Sequence, residues 1–238
     1  MKKLLALGCL ILLGPWTAAA DWNQAENLYR QGKYAAALAA YEDLLQTYPN
    51  DPYLYYNIGN SYFKMGSKGL AVANYYRAFE RAPRDKDLRH NLALALAAGG
   101  ERLVPAGMPA ALHQVFFGLT VSELKGLFFL MCWLCCTLGS VWLVKRRGGK
   151  AALLSLLLAL GVGGFYAWRA ALQNQPLAVV AAPVAELRSG PGEQFPAQAN
   201  VAQGRLLLVQ DTKDQWNEVV VKSQGIKGWM ESSSLEKI

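Results

Sequence analysis

Two runs without a charged side chain stand out in the pattern of apolar and polar positions. Residues 126–144, "GLFFLMCWLCCTLGSVWLV", lie between Lys125 and Lys145, and residues 151–168 lie between Lys150 and Arg169. As helices rising about 1.5 Å per residue, each covers roughly 27 Å, close to the hydrocarbon core of a bilayer. Thr120 and Glu123 have the spacing of a capping box, which starts the first helix near Val121. The pattern predicts transmembrane helices at 121–144 and 151–169, with Trp133, Trp142, Tyr166 and Trp168 as candidates for interfacial positions. The link 145–150, "KRRGGK", is too short to hold a domain, so the helices form an antiparallel hairpin. Lys and Arg resist translocation, which makes this turn cytoplasmic and both flanking regions extracytoplasmic.

A third apolar run opens the chain. Lys2 and Lys3 precede "LLALGCLILL", and Ala18-Ala19-Ala20 offers a small-residue cleavage site before Asp21, the pattern of a signal peptide over 1–20. It exports the next segment independently of the hairpin, to the same side. Cys9 leaves with it, and Cys132, Cys135 and Cys136 fall in the first membrane helix, so the soluble parts have no disulfide framework. Cys132, Cys136 and Ser140 form one small-residue stripe, and Ala159, Gly163 and Ala167 another. Close packing of the two stripes is the expectation.

Residues 21–98 repeat with a step of 34. Gly32 recurs as Gly66, Ala37 as Ala71, Tyr41 as Tyr75 and Pro49 as Pro83. This period, with these residue types, resembles the tetratricopeptide repeat. In the second copy Gly59, Tyr62, Gly66, Ala71, Ala78 and Pro83 sit at family positions. The first copy departs, with Ala25, Leu28 and Leu44 in place of Gly, Tyr and Ala. Small residues let paired helices approach, with Tyr41, Tyr62 and Tyr75 as core. "DKDLRHNLALALAAGG" reads as a half-repeat covering the end of the stack. The resemblance implies a concave groove formed by Trp22, Glu26, Tyr29, Tyr53, Tyr56, Asn57, Asn60, Phe63 and Asn91. Of these, Tyr53, Tyr56, Asn57, Asn60, Phe63 and Asn91 are the candidate peptide-binding residues. Family members that clamp a terminal carboxylate use Lys and Arg where this sequence has Trp22, Glu26 and Asp87. Only Asn57 agrees, so that mode is not expected.

The segment 99–119 carries Gly99, Gly100, Pro105, Gly107 and Pro109 and reads as a linker on which the repeats swing freely. Within it "AALHQVFFGL" reads as an interfacial helix with Phe116 and Phe117 toward the membrane and His113 as an incidental surface residue. Over 177–238 the pattern turns to short β runs, "LAVVAA", "AELRS", "RLLLVQD", "WNEVVVK" and "KGWMESSSLEKI", separated by "SGPG", "AQG", "KDQ" and "SQG". Five or six short strands in so few residues predict a small closed barrel. "LRSGPGEQFPAQANVAQG", "QWNEVVV" and "KGWM" resemble the bacterial SH3-like domain. Trp216 and Trp229 read as core anchors or as ligand-stacking residues, with the first favoured by the barrel's size. With Phe195 they form the candidate SH3-like surface.

The predicted architecture is therefore multidomain: an all-α repeat domain, a two-helix membrane hairpin and a small all-β barrel. Charge supports this division. The net charge is +7, of which residues 21–98 carry +1, 99–176 carry +5 and 177–238 carry −1. The positive charge gathers beside the apolar runs, and neither soluble part has the basic patch of a nucleic-acid binder. His90 and His113 are the only histidines. No Ser-His-Asp set, paired-carboxylate motif, metal cluster or phosphate loop is present, so neither enzyme activity nor a cofactor is expected.

The order of parts resembles the BatE family of membrane proteins from the bacterial aerotolerance (Bat) operon. That resemblance implies an inner-membrane scaffold with periplasmic domains and envelope partners, including the von Willebrand A domain Bat proteins. An alternative is a cell-wall module holding peptidoglycan. The topology has a direct check: alkaline phosphatase fused after Ile238 is expected to be active, and an inactive fusion beside an active cytoplasmic reporter would refute it.

Overall fold

The computed structural model describes residues 14–238. Lys2, Lys3 and Cys9 of the predicted signal segment lie outside the described residues. The described chain forms two compact units. The first runs to Gly107 and resumes at Pro176, and the second spans Met108–Gln175.

In the first unit five helices form a stack: α1 (Gly14–Arg30), α2 (Tyr34–Thr47), α3 (Pro52–Lys64), α4 (Lys68–Arg81) and α5 (Lys86–Ala98). Gly32 and Gly66 take left-handed φ of 76° and 82°, which glycine adopts without a Cβ penalty and which turns the chain back between paired helices. The Asp51 side chain caps α3 from Tyr53 N–H at 2.8 Å, and Asp85 caps α5 from Leu88 N–H at 3.0 Å. Tyr41 and Tyr75 are buried between helices, and Tyr62 is half-buried. The Tyr75 ring lies over Gly59, where an added Cβ would come within 2.7 Å of it.

Seven strands complete this unit: β1 (Leu177–Val180), β2 (Val184–Arg188), β3 (Ala197–Ala202), β4 (Leu206–Lys213), β5 (Trp216–Val221), β6 (Lys227–Glu231) and β7 (Leu235–Lys237). All pairings are antiparallel, in the order β3-β2-β6-β5-β4-β1-β7. The ladder ends at β3 and at β7, so the strands do not close into the predicted barrel. They still enclose one core, which draws Val180, Leu187, Val201, Leu207, Val219 and Met230 from six strands. Trp216 and Trp229 are not in it. On β5 the buried residues are Asn217, Val219 and Val221, and on β6 they are Gly228 and Met230, so strand alternation turns both indoles outward. The core-anchor reading of these tryptophans is corrected accordingly.

The repeats do not swing on a free linker: helix α4 lies against β1 and β7. Gly69, Val72, Ala73 and Arg77 share a helix face at spacings of three and four. The backbone of Val180 passes so close to Gly69 that a Cβ there would sit 2.2 Å from its carbonyl oxygen. Val72 is fully buried, with a methyl near Gly204. Arg77 bonds Glu236 at 2.5 Å and donates to the Lys237 carbonyl at the sheet edge. Farther along, Gly99 packs on Gly204, and Arg205 pairs with buried Glu101 at 3.5 Å and donates to the Gly100 carbonyl. Of the equivalent positions 34 residues earlier, Ala35, Ala39 and Asp43 are exposed, while Leu38 packs into the core of the first repeat. Only the second repeat has a face shaped for the sheet.

The second unit holds α6 (Ala110–Phe117), α7 (Val121–Lys145) and α8 (Gly149–Gln173). Helices α7 and α8 are long and apolar enough to cross a membrane, with mean hydropathy of 2.1 and 1.8. Thr120 and Glu123 form the reciprocal capping box, and Arg146 and Gly148 adopt left-handed φ in the turn. The two helices pack along their length. The Phe128 ring fills the space over Gly163, where an added Cβ would sit 2.7 Å from it. Ala159 is buried in the same face of α8, whereas Cys136, Ser140 and Ala167 are exposed. A ring set against a glycine adds dispersion contacts at that level of the hairpin. Phe116 and Phe117 turn onto Trp168 at 6.3 Å each, and Phe116 meets Phe165 at 5.9 Å. His113 is buried and stacks on Phe117 at 4.7 Å, so it is not a surface residue.

Two substitutions test this packing. Gly69→Ala is expected to speed amide exchange in β1 and β7 while α3 keeps its protection; equal exchange would refute the docking. In the hairpin, Gly163→Leu is expected to lower protease resistance in membranes, while Cys136→Leu leaves it unchanged.

Candidate functional site

The candidate peptide-binding residues lie on α3 and α5, the first helices of their repeats, and the 34-residue step aligns equivalent positions on α1, α3 and α5. Trp22, Tyr56 and His90 form one row, and Asn23, Asn57 and Asn91 another. Asn23 is absent from the sequence-predicted set, although the repeat arithmetic alone could have found it. It is exposed, and Asn57 and Asn91 are half-buried.

At the centre a hydrogen-bonded group ties three helices together. The Tyr75 hydroxyl of α4 donates to Asn60 Oδ1 of α3 at 2.7 Å. Asn91 Nδ2 of α5 donates to the same oxygen at 3.0 Å and to the Tyr56 hydroxyl at 2.9 Å. Asn60 Nδ2 approaches Asn57 Oδ1 at 3.5 Å. Burial pushes the Tyr75 and Tyr56 hydroxyls above their ordinary value and keeps both neutral. The structure thus brings Tyr56, Asn57, Asn60 and Asn91 together. Tyr56, Asn60 and Asn91 largely satisfy one another, which leaves Asn57 the freer amide. Tyr53, 52% exposed, stands at the first turn of α3, and Phe63 is half-buried at its last.

A second recess lies among α2, α3, α4 and β7. This cleft of about 390 Å³ is lined by Glu42, Tyr62, Asn74, Arg77 and Glu236 over Leu45, Ile58 and Leu70. Sequence reasoning missed it because β7 supplies part of the wall.

The outward side of the sheet holds the other candidates. Trp229 opposes Glu218 on β5 and Arg188 on β2, and Trp216 opposes Glu231, so the two indoles are diagonal neighbours on one face. Phe195 folds its ring over Gly190, and Arg188 holds that loop through the carbonyls of Glu193 and Phe195 at 2.9 and 2.8 Å. Among the described residues no group of His, Cys, Asp and Glu is arranged to hold a metal ion.

Comparison with known proteins identifies the helical stack. Residues 25–66 match a TPR repeat model, and residues 52–85 match a tetratricopeptide repeat model. No curated protein matches the chain. Among solved structures, the type III secretion translocator chaperone SycD of Yersinia enterocolitica is 22% identical, with 39% of this chain and 69% of that one covered and a TM-score of 0.35. SycD with a peptide of the translocator YopD is 18% identical, with 59% and 93% covered and a TM-score of 0.35. The TPR2B domain of yeast Sti1 in its pHsp70 complex is 16% identical, with 66% and 98% covered and a TM-score of 0.33. Likenesses this weak carry neither fold nor function across.

Asn60→Ala leaves the Tyr75 hydroxyl and the Asn91 amide without their shared acceptor, and is expected to cost about 1–3 kcal/mol in thermal unfolding. An alkaline limit follows from Tyr41, whose hydroxyl burial pushes up to about 12. The folded state favours the neutral phenol, so this contribution is complete below the ordinary value of 10 and is lost as pH rises through about 12. Helical circular dichroism is expected to fall in that window.

Proposed function

We propose that the chain is a membrane-anchored scaffold whose repeat groove binds an extended or helical peptide segment of an envelope protein. The pair Asn23 and Asn57 beside Tyr53 carries this reading. It offers amides that can pair with a peptide backbone and an aromatic ring for contact area, on a face where the clamp positions hold no Lys or Arg. The tetratricopeptide match supports protein–protein interaction in place of catalysis. The two apolar helices supply the anchor, and the cations of the "KRRGGK" turn support a cytoplasmic turn with both soluble parts outside the membrane. The order of modules, with an SH3-like reading of the sheet, supports a place in a Bat aerotolerance complex beside von Willebrand A domain partners.

A second reading has its own support. Trp216 and Trp229 share the outward face of the sheet with two carboxylates and Arg188, a surface suited to stacking and hydrogen bonding to a peptidoglycan fragment.

Tyr53, Asn57 and Asn23 separate binding from folding, because the bonds that join Tyr75, Asn60, Asn91 and Tyr56 do not run through them. The triple alanine variant is expected to lose at least about tenfold in recovery of crosslinked partner from intact membranes, with an unchanged melting temperature. Unchanged recovery would count against the groove. Sacculus binding that disappears in Trp216→Ala and Trp229→Ala would favour the second reading.

A further inference from the structure

We infer that β3 is a self-pairing edge through which two copies of this chain join their sheets. Among the described residues β3 has a neighbour on one side only, β2. Gln203 N–H donates to the Pro183 carbonyl at 3.2 Å, and Val201 stands opposite Ala185. Odd-numbered residues here bond to β2, so Asn200 and Ala202 turn their N–H and C=O groups away from the sheet. Both residues are exposed.

A row of outward main-chain groups is a template for another strand, and proteins blunt such edges with charge, proline, shortness or cover. The opposite edge has these devices. β7 is three residues long, carries Glu236 and Lys237, lies beside α4, and has its Lys237 carbonyl occupied by Arg77. β3 has six residues, "AQANVA", with no charge and no proline. The irregularity in its pairing lies between Leu187 and Arg188, at the start of β3, which leaves Ala199–Ala202 in regular register.

A second copy is the occupant that fits. With one edge blocked and one open, the joining of like edges closes at two and cannot run on into a fibre. The strand is also self-complementary. Turned end for end about an axis at Val201, Asn200 of each copy faces Ala202 of the other, and the pair exchanges N–H···O=C bonds with no charge opposed. The side chains offer no charge that would select a foreign strand instead.

The test uses the full chain in membranes. Asn200→Cys, treated with a thiol crosslinker spanning about 8 Å, the separation of residue 200 from its copy in this pairing, is expected to give a dimer. Lys222→Cys, in the turn after β5, and the chain with native cysteines alone are expected to give none. Separately, Asn200→Lys places a cation on the edge and is expected to lower co-purification of tagged with untagged copies at least about tenfold, with unchanged melting. No dimer at Asn200, equal dimer at Lys222, a crosslinked product containing a different protein, or unchanged co-purification of the Asn200→Lys chain would each overturn the inference.

Discussion

The first unit depends on how closely helix α4 can approach a sheet. A tetratricopeptide helix ordinarily has two packed faces, one toward its partner and one toward the next repeat. Here a third face is filled: Gly69 leaves room for the Val180 backbone, and Val72 and Ala73 are fully buried. Burying a valine side chain contributes about 1.5–3 kcal/mol, and this face buries Val72 opposite a strand, β1, that is itself buried at all four residues. Repeat stacks gain stability from each interface, so a stack of two and a half repeats benefits from one more. The sheet gains as well, because α4 and Arg77 cover β7.

That contact sets the asymmetry of the first unit. One recess of the helical stack is completed by Glu236, and one sheet edge is closed by Arg77, while Asn23 and Tyr53 on the stack and Asn200 and Ala202 on β3 stay exposed. The polar network of Tyr75, Asn60, Asn91 and Tyr56 acts in the same direction. It joins three helices through groups that would be costly to bury unpaired. The residues nearest the middle of the groove are thereby committed to holding its shape. Those beside it, Asn23, Asn57 and Tyr53, remain available to a partner.

Much of this was legible in the chain. The step of 34, the glycines at helix ends and the caps Asp51 and Asp85 are local signals, because helix termini are decided within a turn. Likewise, uncharged runs of nineteen and eighteen residues are read by length alone, and Thr120 with Glu123 marks where the first begins. By contrast β3 was not recognised as a strand. "AQANVA" has weak strand propensity and a single buried residue, Val201, so no alternation shows. Its pairing with β2 makes it a strand.

The sequence by itself determined which segments are helical repeats, which are apolar enough to span a bilayer and which are strands rich in β-branched residues, since each depends on periodicity within one segment. Only the tertiary structure decided what faces what. Trp216 and Trp229 are outward because Asn217, Val219 and Met230 take the core side, and strand alternation leaves no other choice. The hairpin sets Phe128 against Gly163, because complementary shape across two helices is not visible from either one. At Gly69 the face differs from its exposed counterpart at Ala35 by the few atoms of one methyl group. Those atoms acquire meaning only when a strand from more than a hundred residues away arrives to fill the space.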